Sequence, residues 1–219
     1  LRRAHALVSA MEKIGIRVEP EELIVGNRTS GVRAGVVFPE SGSAWVNREF
    51  ETLPTRAQDT FAVRAEDVRI FREEIYPYWQ GKSLEDVLRA RCGAALDALA
   101  PVVKINQKDH AQGHICPNVE TWLRVGPAGL AACARDCAAR AGGERRDFYQ
   151  AVETVMEGAC AFYRRYERLL FELAEQETAS QENLLACAAV CRDLADRPAQ
   201  TFREAVQAVW MLFVILHLE

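Results

Sequence analysis

Three side chains near the end of the chain, Arg203, Gln207 and Met211, follow one another at four-residue spacing and therefore share one face of a predicted helix. The run from Ala205 to Leu218 is mostly apolar, so that face is predicted to be buried. A planar, permanently charged guanidinium with an amide one turn away can bind a small oxyanion through parallel hydrogen bonds. A structural ion pair between Arg203 and a carboxylate elsewhere in the chain is the open alternative, because unpaired polar groups are costly to bury.

The start of this helix is marked by Thr201 and Glu204. A threonine followed three residues later by glutamate is typical of a capping box, in which each side chain pairs with a free backbone N–H of the other residue. Pro198, just upstream, suits the entry to a helix and not its interior. These signals predict that Arg203 lies in the first turn, where its position depends on how the helix begins.

The remaining elements are predicted to be mainly α-helical, with a few short strands. Leu23 to Val25 and Val32 to Pro39 are the strand candidates, because short apolar runs next to glycine or proline favour extended chain. No repeat or linker stands out, so the sequence predicts one mainly helical unit. The predicted helices cover Arg2–Ile14, Trp45–Leu53, Ala65–Ile75 (stopped before Pro77), Ser83–Leu99, Pro127–Ala141, Glu144–Gln176, Ala179–Leu194 and the closing stretch from Thr201.

Composition narrows the function classes. The 219 residues are 49% hydrophobic and 26% charged, with a formal net charge of −4 and dispersed Lys and Arg residues. This balance argues against a nucleic-acid partner, and Ala205 to Leu218 is too short to span a membrane. Seven cysteines without a disulfide-like spacing predict reduced thiols in a cytoplasmic protein.

Two groups of residues could be mistaken for chemical sites. His110, His114 and Cys116 have the residue types of a zinc site, but Gly113 between the histidines argues against a helix that presents both, so we predict no metal. Cysteine pairs at four-residue spacing, Cys133 with Cys137 and Cys187 with Cys191, lie in alanine-rich helices and are predicted to pack in the core.

The chain resembles the pyruvate formate-lyase-like glycyl radical enzymes over nearly its whole length. Each match is short, and the resemblance is specific because the matches follow one another in the same order along the chain. In chain order they are Glu22–Asn27, Arg33-Ala34, Phe38–Glu40, Tyr76–Ser83, Gly113-His114, Phe148–Ala151, Arg165-Tyr166 and Pro198–Trp210.

This resemblance covers only the N-terminal portion of those enzymes, which are several times longer and fold as a ten-stranded α/β barrel wrapped in helices. We therefore expect residues 1–219 to be the N-terminal part of such a domain, truncated before its catalytic cysteine and glycyl radical motifs. The chain begins at Leu1 in helical pattern and stops at Glu219 within an apolar helix. Both ends are thus expected to be interior to a longer protein, whose missing sequence should pack on the last helix.

The resemblance also implies the chemistry of the complete enzyme. A backbone glycyl radical, installed by a radical S-adenosylmethionine activating enzyme, oxidises a cysteine that then removes hydrogen from the substrate. None of the seven cysteines lies in the family's glycine-cysteine-x-glutamate motif, and the arginine-valine-x-glycine-tyrosine motif is absent. The chain alone is therefore expected to bind no cofactor and to lack catalytic residues.

Arg203 is the position that narrows the substrate. Choline lyases of the family tend to carry tyrosine there and diol dehydratases histidine, whereas arginine with Gln207 one turn on resembles isethionate sulfite-lyase. The implied reaction is radical C–S cleavage of a small hydroxy-sulfonate, with Arg203 and Gln207 binding the substrate. A related sulfonate, such as dihydroxypropanesulfonate, or a carboxylate would fit the same two residues. The wider alternatives are a diol dehydratase or other eliminating member, and a non-catalytic helical binding module. The expected partners are a small anionic substrate, the activating enzyme and a second copy in a homodimer.

Overall fold

The computed structural model describes residues 1–29, 35, 37–58, 60–103 and 116–218, and within these ranges every regular element is helical. The mainly helical prediction is therefore confirmed, but the few short strands are not seen in these ranges. The helices are α1 (Arg2–Lys13), α2 (Ala44–Glu49), α3 (Ala65–Ile70), α4 (Tyr76–Trp79), α5 (Leu84–Leu99), α6 (Val119–Arg140), α7 (Gly143–Gln176), α8 (Gln181–Asp196) and α9 (Phe202–Leu216).

The chain divides into two compact units, whereas the sequence predicted one. The first unit contains Leu1–Ser30 and Pro117–Glu219, and the second contains Gly31–Cys116. The predicted oxyanion-binding residues all belong to the first unit.

Helix α7 is the centre of the first unit and packs against α1, α6 and α8. Its buried residues recur mainly at three- or four-residue spacing, as one face of a long amphipathic helix requires. They are Gly158, Ala159, Phe162, Tyr163, Tyr166, Leu170 and Ala174. Each large apolar side chain buried in this way contributes about 1.5–3 kcal/mol. The same face also presents the Tyr166 hydroxyl, which is used in the site described below.

Helix α6 is bent at Gly126, which has a φ of 69° and precedes Pro127. The predicted start at Pro127 therefore corresponds to the second segment of α6, which an additional segment from Val119 precedes. A Cβ at Gly126 would lie 3.2 Å from the backbone N and Cα atoms of Pro198. Glycine is needed here both for its positive φ and for this close approach, which holds the chain entering α9 against α6.

The second unit is organised around a small apolar cluster of Val46, Phe50, Leu53 and Phe71. The helix predicted to stop before Pro77 instead continues through a π-helical turn, Phe71–Ile75, into α4. Proline has no N–H to donate and clashes with the preceding turn of a regular α-helix, and a wider turn accommodates it. The predicted Ser83 N-cap of α5 is confirmed, since the Ser83 hydroxyl accepts from the Asp86 N–H at 3.2 Å.

In the part of the chain that the structure describes, no helix is both long enough and apolar enough to cross a membrane.

Candidate functional site

The predicted capping box at the start of α9 is present. The Glu204 N–H donates to the Thr201 hydroxyl at 3.2 Å, and the Thr201 N–H donates to the Glu204 carboxylate at 3.1 Å. The Gln200 N–H also donates to that carboxylate, at 2.6 Å. Three backbone N–H groups, paired with the Thr201 and Glu204 side chains, thus fix the first turn of the helix that carries Arg203.

Arg197 adds a second restraint that the sequence analysis missed. Its guanidinium donates to both carboxylate oxygens of Glu204, at 2.8 and 3.0 Å, and to Asp193 at 2.8 Å. Hydrogen bonding from Arg197, together with the backbone donors, lowers the pKa of the buried Glu204 carboxyl to about 2. In the sequence, Arg197 stands out only as an arginine directly before Pro198. Its partner Glu204 is identified by the turn between α8 and α9, which brings the two side chains together.

Arg203 is half-buried, and no carboxylate within the described ranges pairs with it. Its Nη2 donates to the Leu23 carbonyl at 3.3 Å and to the Cys187 sulfur at 3.1 Å. Its Nε is buried and has no hydrogen-bond partner there. The alternative of a structural ion pair therefore finds no support in these residues, and the guanidinium retains donors for an anion.

Gln207 is buried one turn further on, and its side-chain amide is hydrogen-bonded to the backbone of Val25. The Gln207 Nε2 donates to the Val25 carbonyl at 2.7 Å, and the Val25 N–H donates to the Gln207 Oε1 at 2.8 Å. Met211 follows on the same face and is fully buried, as predicted. Arg203, Gln207 and Met211 therefore share one face of α9. The Gln207 amide is hydrogen-bonded to the Val25 backbone, whereas the Arg203 guanidinium is hydrogen-bonded to the Leu23 carbonyl and the Cys187 thiol.

Residues 20–27 form an irregular segment, here called the stitched segment, whose backbone is held by side chains of α7, α8 and α9. Asn183 donates to the carbonyls of Pro20 and Glu22 at 3.0 and 2.9 Å, and Trp210 donates to the Gly26 carbonyl at 3.0 Å. This explains why the strand predicted at Leu23–Val25 is wrong: side chains, not a neighbouring strand, satisfy its backbone.

Asn27 anchors the end of the stitched segment. The Tyr166 hydroxyl accepts from the Asn27 N–H at 2.9 Å and donates to its side-chain oxygen at 2.7 Å, and the Asn27 amide donates to the carbonyls of Gly15 and Thr29. Burial raises the pKa of Tyr166 far above its usual value, so the hydroxyl keeps the proton that it donates. The neighbouring Arg165 caps α1 by donating to the carbonyls of Met11 and Ile14.

The other sequence candidates have different outcomes. His110 and His114 lie outside the described residues, so the prediction that they bind no metal stays a prediction. Cys187 and Cys191 are buried as predicted, but core packing is wrong for Cys133, which is exposed. Cys133 lies on the solvent side of α6. Most residues around it are alanine, so the sequence does not show which face of this helix is buried.

The family model described as pyruvate formate lyase-like matches residues 1–219. The chain belongs to the pyruvate formate lyase-like family.

Individual relatives of this family align with the whole chain. The isethionate sulfite-lyase of Nitratidesulfovibrio vulgaris is 28% identical over 239 residues, covering 100% of this chain and 29% of the relative. The probable dehydratase YbiW of Escherichia coli is 30% identical over 236 residues, covering 100% and 28%. A glycyl radical enzyme from Archaeoglobus fulgidus, known from its crystal structure, is 32% identical with a TM-score of 0.87, covering 100% and 29%. The chain thus spans less than a third of the length of these relatives.

Gln207→Leu tests the connection between α9 and the stitched segment. It leaves the N–H and C=O of the fully buried Val25 without partners, so we expect the free energy of unfolding to fall by about 2–5 kcal/mol. Urea unfolding followed by circular dichroism measures this. Met211→Leu, a volume-conserving change one turn away, is the control and should cost less than about 1.5 kcal/mol. Equal losses in both variants would show that the amide pairing contributes nothing specific.

Glu204→Gln tests the charged cap of α9. Because the folded-state pKa of Glu204 lies below its ordinary value of 4.5, the ionised carboxylate stabilises the fold above that value, and this stabilisation is lost as pH falls toward about 2. We expect Glu204→Gln to be about 1–2 kcal/mol less stable than wild type at pH 6 and equal to it near pH 2.

The control for this measurement is Glu175→Gln, which changes an exposed glutamate near the end of α7. It should leave the dependence of the unfolding free energy on pH as in wild type. A wild-type slope between pH 5 and pH 2 that persists in Glu204→Gln would contradict the assignment.

Proposed function

We propose that this chain is the N-terminal part of a longer glycyl radical lyase that cleaves the C–S bond of a small hydroxy-sulfonate. For isethionate the products are acetaldehyde and sulfite, which together with one proton contain all the atoms of the substrate. The parent enzyme would carry its glycyl radical and catalytic cysteine outside these 219 residues. The radical supplies hydrogen abstraction from the substrate, and the residues of this chain bind and orient it.

Arg203 carries this proposal. It is a half-buried cation with no carboxylate partner among the described residues, and its Nε–H donor is buried without an acceptor. A sulfonate shares one negative charge over three oxygens, and a guanidinium can donate two parallel hydrogen bonds to such a group. An unpaired donor at this depth is costly, and a bound sulfonate oxygen would remove that cost.

Gln207 stays a predicted second contact to the substrate. Its amide pairs with Val25 in this structure, so it would contact a sulfonate only by giving up one of those two hydrogen bonds. The uncharged Met211 completes the face, and it offers no group that would hold a cationic substrate. The charge on this face of α9 comes from Arg203, which favours an anionic substrate over choline-like ones.

The remaining parts of the proposal follow from the family. They are a radical S-adenosylmethionine activating enzyme as partner, a homodimer for the full-length protein, and a cytoplasmic location. The similarity to an isethionate sulfite-lyase supports the substrate class. The similarity at 30% identity to a probable dehydratase favours a diol dehydratase as the second candidate.

A non-catalytic binding module is the third candidate, and it has one observation in its favour. The side of α9 opposite Met211 exposes large apolar residues, with Phe202 exposed to 86% and smaller fractions at Val206, Val209, Trp210 and Phe213. Such a face is suited to contact with another polypeptide surface.

Arg203→Leu in the full-length protein tests the role of Arg203. We expect it to abolish sulfite release from isethionate, because the anion loses its cationic partner, while the glycyl radical yield measured by electron paramagnetic resonance stays at the wild-type level. Arg203→Lys should restore little turnover, since it keeps the charge but loses the planar pair of donors.

Arg145→Leu is the matched control, because it removes an exposed arginine near the start of α7. It should leave sulfite release unchanged. Wild-type turnover in Arg203→Leu would exclude Arg203 from sulfonate binding.

A further inference from the structure

Cys187 lies at the point where α8, α9 and the stitched segment meet. Its sulfur accepts a hydrogen bond from the Arg203 Nη2 at 3.1 Å and lies 3.4 Å from the Glu22 carbonyl and 3.6 Å from the Leu23 carbonyl. A thiol is a weak donor and a weak acceptor, so this single side chain can link the guanidinium to the backbone. The Leu23 carbonyl also accepts from the same nitrogen of Arg203. The guanidinium, the thiol and the Leu23 carbonyl therefore all contact one another.

The usual role of a buried cysteine is that of a small apolar side chain. Cys191 fits that role: it lies one turn further along α8, is buried, and makes no hydrogen bond within the described residues. Cys187 differs from it by its contacts with Arg203 and two carbonyls. Burial raises the pKa of the Cys187 thiol even though Arg203 acts in the opposite direction, which favours the neutral thiol over the nucleophilic thiolate.

We propose that Cys187 is a positioning residue for Arg203, and that together with the Leu23 carbonyl it fixes the plane of the guanidinium for an anionic substrate. Both groups engage Nη2, which leaves the Nε and Nη1 donors without partners in the described part of the chain. This inference rests on the proposed function, because it assigns the substrate anion to Arg203. It adds a positioning residue on α8, at a cysteine that the sequence predicts to pack in the core.

The contact also connects the substrate-binding residue to the stitched segment. Asn183, one turn before Cys187 on α8, donates to the carbonyls of Pro20 and Glu22. Asn183 and Cys187 therefore hold the same stretch of backbone, and the Leu23 carbonyl is presented to Arg203 as a result. A loss of the thiol should loosen the guanidinium without removing it.

Steady-state kinetics of the full-length enzyme with isethionate test this role. Cys187→Ala should raise KM by about three- to tenfold, the range expected for the loss of one hydrogen bond of ordinary net strength, and should change kcat less than about twofold. Cys187→Ser should restore most of the loss, because a hydroxyl keeps one donor and one acceptor. Cys191→Ala, which removes an equally buried thiol from the same helix, should leave KM unchanged. Equal effects of Cys187→Ala and Cys191→Ala would overturn the proposal.

A second measurement tests the contact without relying on turnover. In the full-length protein, the pKa of the Cys187 thiol is followed by the ¹³Cβ chemical shift, with Cys187→Ser used to assign the signal. Arg203 lowers this pKa and the nearby Glu22 raises it, so Arg203→Leu should shift it upward. An unchanged pKa would show that the two groups do not touch and would overturn the proposal. An upward shift in Arg203→Leu, together with a wild-type enzyme that releases no sulfite from isethionate, would support the contact and overturn only the proposed function.

Discussion

Pairing of buried backbone polar groups is the constraint on which the first unit depends. The stitched segment lies against α7, α8 and α9 without any strand beside it in the described ranges, so its carbonyls and N–H groups need side-chain partners. Gln207, Asn183, Trp210 and Tyr166 supply them. Glycine is required at residue 26, because a Cβ there would lie 2.8 Å from the Trp210 Nε1. These hydrogen bonds fix the positions of the four side chains, and Arg203 contacts the same segment through the Leu23 carbonyl.

The position of Arg203 follows from two independent restraints. The capping box and the Arg197–Glu204 pair fix where α9 begins, and the contacts with Leu23 and Cys187 fix the orientation of the guanidinium. A cation prepared in this way loses little conformational freedom when an anion binds, which favours affinity. The surroundings of Arg203 therefore favour the binding of an anion as much as its charge does.

How far the sequence could predict this arrangement depends on the separation of the interacting residues. Thr201 and Glu204 are three apart, so their capping box was predictable from local spacing. The partners of Gln207 and Tyr166 lie 182 and 139 residues away, and no local pattern identifies them. The strand predicted at Leu23–Val25 failed for the same reason, since an apolar run does not reveal whether its hydrogen bonds go to a strand or to side chains. Arg203 is predictable as a candidate anion-binding residue because arginine is unusual in an otherwise apolar helix.

The measurement that tests the central claim most directly is product analysis with the full-length wild-type protein. The activated enzyme is incubated without oxygen with isethionate and, separately, with a 1,2-diol, and sulfite and aldehyde are quantified in both. A substrate-binding Arg203 in a sulfonate lyase predicts equal amounts of sulfite and acetaldehyde from isethionate and little aldehyde from the diol. Aldehyde from the diol with no sulfite from isethionate would contradict it and identify a dehydratase.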